Sequence, residues 1–540
     1  MTAIPAATAH DEKHPKGLFV LFATEMWERF GFYTMLAMLT LYMRDTAQGF
    51  GWTTAEATGV YSWYQAFVYA TPLLGGWLAD RYLGYRNAIT IGGVFFAAGY
   101  FLLAVPKNVP AFYLALVLLV VGNGFFKPNV SSMVGNLYRE GSHLKDRAYL
   151  IFYMGINIGA FLAPLSAEFV QTRWGFNPAF SVAGFGMILC LAIFWIWKRH
   201  TREADHPRTK VAPTAAKAAD PDAVAVTEDL PPKAATHNAM DDVPEWKRIL
   251  ALIVIFLIVI VFWMIFHQNG STLTFWADDN TDWNVTGILA NAINPFWIIT
   301  LSLPLAWFWG FLDRRGMEPS TPMKMAFGMT LTGLSFLLLY FAALSGGYNK
   351  PAGPVVAPGP SAGQVYVLVA PGLAEELNFT QQPTEVQDVR PRTLKNLKEG
   401  EEAPMVKAYL ATPVNVTLQP GDVASLESAG DGTSLPVGQL RRVSPAWLIF
   451  AYFVISLGEL MLSPMGLALV SKVAPVRMRG LMMGGWFLAT AIGNKLTAIG
   501  AYWDIWSHSR FFITLAMMAF VMAVVLFLLL RPLKKAMPGV

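Results

Sequence analysis

Glu25, Glu28 and Arg29 stand in the middle of an otherwise apolar run from Gly17 to Met43. At about 1.5 Å of rise per residue they lie roughly 12 to 18 Å along a helix that starts near Gly17, which is mid-membrane depth. Each charge there costs on the order of 2.5 to 3.5 kcal/mol, so three left unpaired would cost roughly 8 to 10 kcal/mol. Offsets of three and four residues set the three side chains on one face, with Phe32 and Tyr33 a turn further on. The chemistry this allows is proton exchange in a buried ion cluster facing a water-filled cavity. Snorkelling from a helix end is the weaker reading, because the side chains are too short for that depth.

The elements that hold such a cluster must be membrane helices. Of 540 residues, 54% are hydrophobic and 14% charged, and the mean hydropathy is +0.42. That is too apolar for a soluble enzyme and fits an all-α polytopic membrane protein. A net charge of +4 gives no reason to expect nucleic-acid binding. The single cysteine, Cys190, excludes an internal disulfide framework and a thiolate metal site. The polar start up to Lys16 lacks a cleavage signal, so the first span is expected to be retained.

Apolar segments long enough for a core of about 30 Å recur twelve times. They are expected near 17 to 43, 58 to 80, 87 to 106, 110 to 135, 147 to 170 and 178 to 198. The second six are expected near 246 to 268, 286 to 312, 321 to 345, 445 to 470, 479 to 503 and 511 to 531. Arg81, Arg86, Arg139, Lys145, Arg147, Arg314, Arg315, Arg477, Arg479, Arg531, Lys534 and Lys535 all fall in loops on one side, which is therefore expected to be cytoplasmic together with both termini. The opposite side carries Asp278, Asp279 and Asp282.

The expected division is an N-terminal six-helix bundle (1–198), a cytoplasmic linker (199–245), three C-terminal helices (246–345), an extracytoplasmic insertion (346–444), and the last three helices with a tail (445–540). The linker is rich in Ala, Pro, Asp and Lys without apolar periodicity. In the insertion, runs at 365–369 and 414–418 predict strands of a small β-rich unit. Asn378-Phe379-Thr380 and Asn415-Val416-Thr417 match the glycosylation triplet, which a bacterial-type chain would ignore.

Gly76-Trp77-Leu78-Ala79-Asp80-Arg81 and Gly310-Phe311-Leu312-Asp313-Arg314 join equivalent helices of the two halves. This internal repeat resembles the major facilitator superfamily, and the resemblance implies a substrate site between two bundles and alternating access.

A narrower resemblance rests on four motifs in order. They are Glu25-x-x-Glu28-Arg29-Phe30 with Tyr33, Gly124 to Asn129, Phe152 to Phe161, and Gly458 to Pro464. Together they resemble the proton-dependent oligopeptide transporter (POT/PTR) family, which implies a proton-coupled importer of di- and tripeptides. A peptide zwitterion needs cations on one wall and an anion on the other; Arg29 and Lys127 supply the first, Glu459 the second. Arg29 can grip a carboxylate with two parallel bonds. Asn157 and Asn294 can both donate and accept, which suits peptide amides. Phe32, Tyr33, Tyr64, Tyr69, Trp263 and Trp486 are candidates for the walls, and Ser463 belongs to the last motif. Proton coupling is assigned to Glu25, Glu28, Arg29 and Lys127.

The sequence departs from the family in three places. Phe32 stands where the signature has its first tyrosine. Leu36 and His267 replace an arginine and a helix-seven acid that form an outer-gate ion pair in many members. Tyr61 to Tyr69 holds no histidine, so the second-helix proton site of animal members is missing. His267, whose unperturbed pKa is near 6.5, is a candidate second proton-responsive site. Alternatives are a nitrate or small-anion carrier of the same family, a cationic-drug exporter, and a peptide sensor that does not transport. No metal, cofactor or enzymatic activity is expected, and the chain is expected to be monomeric in the bilayer.

Overall fold

The structure is a computed structural model that describes residues 14–138, 144–205, 243–378, 381–397, 400–427, 435–475 and 478–538. Most of the expected linker, residues 206–242, lies outside them, as do Phe379 and Thr380 of the first triplet and the basic residues Arg139 and Arg477.

Six long helices come first: α1 (Lys16–Arg44), α2 (Thr54–Leu78), α3 (Tyr85–Leu103), α4 (Val109–Asn136), α5 (Leu144–Trp174) and α6 (Phe176–Ile196). Six more follow: α7 (Glu245–Phe266), α8 (Ile293–Asp313), α9 (Thr321–Ser345), α10 (Pro445–Val473), α11 (Arg479–Leu496) and α12 (His508–Ala536). Among the described residues, nine helical segments are long and apolar enough to cross a membrane, so the chain is a multi-pass membrane protein. At 29 residues α1 is long enough, but Glu25, Glu28 and Arg29 pull its hydropathy down.

Local signals fix several ends. Thr53 caps α2 in a reciprocal box, its hydroxyl accepting from Glu56 N while the Glu56 carboxylate accepts from Thr53 N. The two repeated turns each close on a glycine in the left-handed region, Gly84 at φ 74° and Gly316 at φ 66°. Past Phe266, α7 does not stop near residue 268 as expected but continues in short turns to Asn280.

Packing repeats with an offset of six helices. In the first set α1 packs on α5 and α6, α2 on α4, and α3 on α4 and α6. In the second, α7 packs on α11 and α12, α8 on α10, and α9 on α10 and α12. The two sets meet through α2 against α11 and α5 against α8, which are themselves equivalent pairs. Close approach is set by glycine: a Cβ at Gly159 of α5 would lie 2.3 Å from Met26 O and 3.2 Å from the Arg29 Cβ of α1.

Between α9 and α10 the chain forms strands β1 (Ala352–Pro358), β2 (Val365–Val367), β3 (Thr384–Gln387), β4 (Met405–Pro413), β5 (Val423–Leu426) and β6 (Leu435–Gln439). They pair in the order β2-β1-β5-β6-β4-β3, mostly antiparallel, with β4 and β6 parallel. Val355, Val367, Ala411, Leu426 and Val437 close a small core. The strand expected at 414–418 is absent. Its alternation of Val and Leu suggested pairing, but the strand ends at Pro413 and Asn415 turns the chain at φ 56°, a conformation Asn tolerates through its short polar side chain.

Candidate functional site

Glu25, Glu28 and Arg29 are all buried in α1, with 1%, 0% and 3% exposure. The Arg29 guanidinium donates from Nε to Glu28 Oε2 at 2.5 Å and from Nη2 to Glu28 Oε1 at 2.7 Å, a two-pronged grip. Its Nε also lies 3.5 Å from Glu25 Oε1. The second Glu25 oxygen, Oε2, is buried and has no hydrogen-bond partner. One cation is therefore shared unequally by two carboxylates, and an acceptor is left over.

Lys127 of α4 lies within electrostatic reach of Arg29, Glu25 and Glu28. Its Nζ sits over the Tyr69 ring, 4.7 Å from the centroid, and the Arg29 guanidinium sits over Phe32 at the same distance. The α1 and α4 residues thus gather two basic and two acidic side chains against aromatic faces.

Asn123, which the motif reading passed over, belongs to this group. Its Oδ1 accepts from Arg29 Nη2 at 3.3 Å and its Nδ2 donates to Val68 O at 2.7 Å. In the sequence it is only an amide in an apolar run, four residues before Lys127 and so on the same face of α4; its full burial is seen in the structure alone.

On the other set of helices, Glu459 of α10 accepts from Asn294 Nδ2 of α8 at 3.0 Å, and the same Nδ2 reaches Ser456 Oγ at 2.9 Å. Tyr33 and Tyr69 are within electrostatic reach of both Arg29 and Glu459, and Tyr153 of α5 is within reach of Glu459. Arg29 and Glu459, on opposite sets of helices, therefore lie within electrostatic reach of the same two tyrosines. Asn157 is buried and donates to Tyr153 O of its own helix at 2.9 Å.

At the end of α7, His267 stacks on Trp263, with centroids 5.2 Å apart, and tilts against Tyr69 at 5.8 Å. Gln65 Nε2 and His267 Nδ1 are 3.5 Å apart, while His267 Nε2 and Trp263 Nε1 are buried without partners. Tyr69 thus connects His267 to Lys127. Tyr64 is buried near Arg29 with an unpartnered hydroxyl. Ser463 lies one turn beyond Glu459. Trp486 packs against Phe256 and the backbone of Gly466, where a Cβ would collide with its ring at 1.9 Å.

Comparison with known proteins decides the family. A family model described as the POT family matches residues 86–373 and 423–502. The chain belongs to the POT family. It is 28% identical to "Uncharacterized transporter YclF" of Bacillus subtilis over 98% of this chain and 96% of that one. It is 27% identical to "Di-/tripeptide transporter" of Lactococcus lactis subsp. cremoris over 97% of both. A crystal structure of a peptide transporter POT in complex with sulfate superposes with a TM-score of 0.69 at 26% identity, covering 97% of this chain and 96% of that one. For this POT family member, both of the motif stretches that carry Glu25, Glu28, Arg29 and Glu459 reach the same pair of tyrosines.

Proposed function

We propose that this POT family member is a proton-coupled symporter that imports di- and tripeptides by alternating access of two six-helix bundles, with the major facilitator arrangement. The observation that carries the reading is that Arg29 on one set of helices and Glu459 on the other both lie within electrostatic reach of Tyr33 and Tyr69, with Lys127 over the Tyr69 ring. A peptide spans that gap with its carboxylate toward Arg29 and Lys127 and its ammonium toward Glu459. The sixfold packing offset supports two bundles rocking about a shared site, and a peptide-transporter name on a relative of equal length supports the substrate class.

Coupling follows from the shared cation. With Glu25 and Glu28 both ionised, Arg29 is held by them. Adding a proton to either weakens that hold and frees the guanidinium fork for a peptide carboxylate, so proton and peptide bind cooperatively. A membrane potential of 100 mV adds about 2.3 kcal/mol per charge moved, enough to accumulate a neutral zwitterion. His267 serves as a second proton-responsive group, with Tyr69 between it and Lys127. The termini and the 199–245 linker lie on the cytoplasmic side of the cell membrane, and the 346–444 insertion lies outside. The protein acts as a monomeric transporter rather than an enzyme.

The test is dialanine uptake into proteoliposomes under an imposed pH gradient. Glu28→Gln should lose gradient-driven accumulation while keeping dialanine counterflow; Glu459→Gln should raise the half-saturating dialanine concentration about tenfold or more, the worth of a hydrogen bond to a charged group. Nitrate counterflow in place of dialanine, or peptide binding with no uptake, would replace this reading with the anion-carrier or sensor alternative.

A further inference from the structure

The two sets of helices are joined by side-chain bonds at the end that carries the insertion. Thr40 Oγ donates to Gly270 O at 3.0 Å, Arg44 pairs with Asp279 at 3.3 Å, and Glu168 accepts from Thr286 N at 2.9 Å. The strands between α9 and α10 add contacts on both sides of this seam. Toward α7 and α12 the contacts are Arg392 with Asp278, Val443 N to Asn280 O at 2.9 Å, Asp282 N to Val443 O at 2.8 Å, and Ser509 N to Tyr348 O at 3.1 Å. These stay within the helix set to which the segment is covalently attached.

Among the described residues, hydrogen bonds from Thr46 and Gln48 cross to the other set. Thr46, just past α1, donates its hydroxyl to Asp388 Oδ2 at 3.0 Å. Gln48 donates to Asn396 O at 3.0 Å while its own carboxamide oxygen accepts from Phe176 N, at the start of α6, at 3.0 Å. Asp388 is also held from its own side: fully buried, it accepts Arg390 Nη2 at 2.6 Å, Arg390 Nε at 2.9 Å and Thr393 Oγ at 3.1 Å besides the Thr46 hydroxyl. Beside it lies a cavity of about 580 Å³ whose mixed lining includes the charged side chains of Arg44, Asp279, Arg390, Arg392 and Asp504. A partner that lets go there meets a cavity that offers charged groups, so the clasp can open without stranding a buried group.

We infer that the 346–444 segment is a latch: it travels with α7–α12 and clasps residues 45–48 whenever this end of the transporter is shut, and it must release them for the end to open. The inference rests on alternating access as read above, and it assigns to Thr46 and Gln48 a conformational role separate from peptide and proton binding.

The full-length protein in nanodiscs, carrying nitroxide labels at Val105→Cys and Asn284→Cys, tests it; Cys190 is buried and stays unlabelled. Pulsed-EPR distances across the seam are compared in the parent, Thr46→Val/Gln48→Ala, and Thr46→Ser. Loss of two crossing hydrogen bonds should raise the ratio of long to short distances roughly five- to tenfold, from the net worth of such bonds. Thr46→Ser, which keeps the hydroxyl, should match the parent and guards against a general loss of fold. An unchanged ratio in Thr46→Val/Gln48→Ala, or an equal rise in Thr46→Ser, overturns the latch. Neither readout needs a peptide, so a failure of dialanine uptake bears on the proposed function alone.

Discussion

Two arginine–carboxylate groups invite comparison, one wholly buried and one with a buried carboxylate and a half-buried arginine. In the membrane interior Arg29 grips Glu28 with two bonds, yet Glu25 Oε2 has no partner and a second cation stands nearby in Lys127. At the seam Arg390 grips Asp388 with the same fork geometry, but there Thr46 and Thr393 fill the remaining acceptor capacity. A saturated pair fixes one geometry, and removing a member costs on the order of 3 to 5 kcal/mol. An unsaturated one holds more than one arrangement of nearly equal energy, which a carrier of protons needs. On the function proposed above, the difference separates a group that holds position from one that changes charge.

The largest expected effect lies in the unsaturated group. Arg29→Lys keeps the charge but loses the planar fork, so two charge-assisted bonds of about 1.5 to 3 kcal/mol each are weakened. Gradient-driven dialanine uptake should fall at least about a hundredfold, measured as initial rate per incorporated protein. A variant retaining more than a tenth of the native rate would show that a point charge suffices there.

Next comes the saturated group. Asp388→Asn should loosen the segment by about 3 kcal/mol, read as faster amide exchange across Thr384 to Lys395, with dialanine counterflow retained. Burial opposes ionisation of Asp388, but the Arg390 bonds and charge and the Thr46 hydroxyl outweigh it, holding the carboxyl below its ordinary value of 3.8. A depressed folded value contributes stability that is complete above the unfolded value of about 3.9 and is lost as pH falls through the folded one. Exchange protection of this stretch should therefore be flat from pH 8 to 5 and decline only below about pH 4. A decline near pH 6 would transfer the label of proton-responsive site from the membrane interior to the seam.

The sequence made the first group legible because charge is so costly in an apolar run that three such residues point to partners. Lys127 and Glu459 were legible for the same reason. Asn123 was not, since an amide costs far less than a charge in the bilayer and reads as ordinary helix contact. The strands were half legible. Val365–Val367 pairs as its β-branched residues suggest, whereas 414–418 shows the same alternation and forms a turn, because Asn415 takes a left-handed conformation that the pattern does not encode. Thr46 and Gln48 were invisible, their partners lying 342 and 348 residues away.

Asn123 provides the finest test of the contrast, with the smallest effect. It is a neutral acceptor for Arg29 at 3.3 Å, competing with two charged ones. Asn123→Ala removes that competitor, so Arg29 leans further on Glu25 and Glu28 and stabilises their ionised forms. Protonating the cluster then requires a higher proton concentration. A hydrogen bond of about 1 kcal/mol corresponds to about 0.7 of a pH unit at 1.36 kcal/mol per unit. The pH of half-maximal dialanine uptake should move by that amount to the acidic side with little change in the maximal rate. A fall in maximal rate with an unmoved profile would make Asn123 a packing residue anchored to Val68 O, and the slack in the membrane cluster would then rest on Glu25 alone.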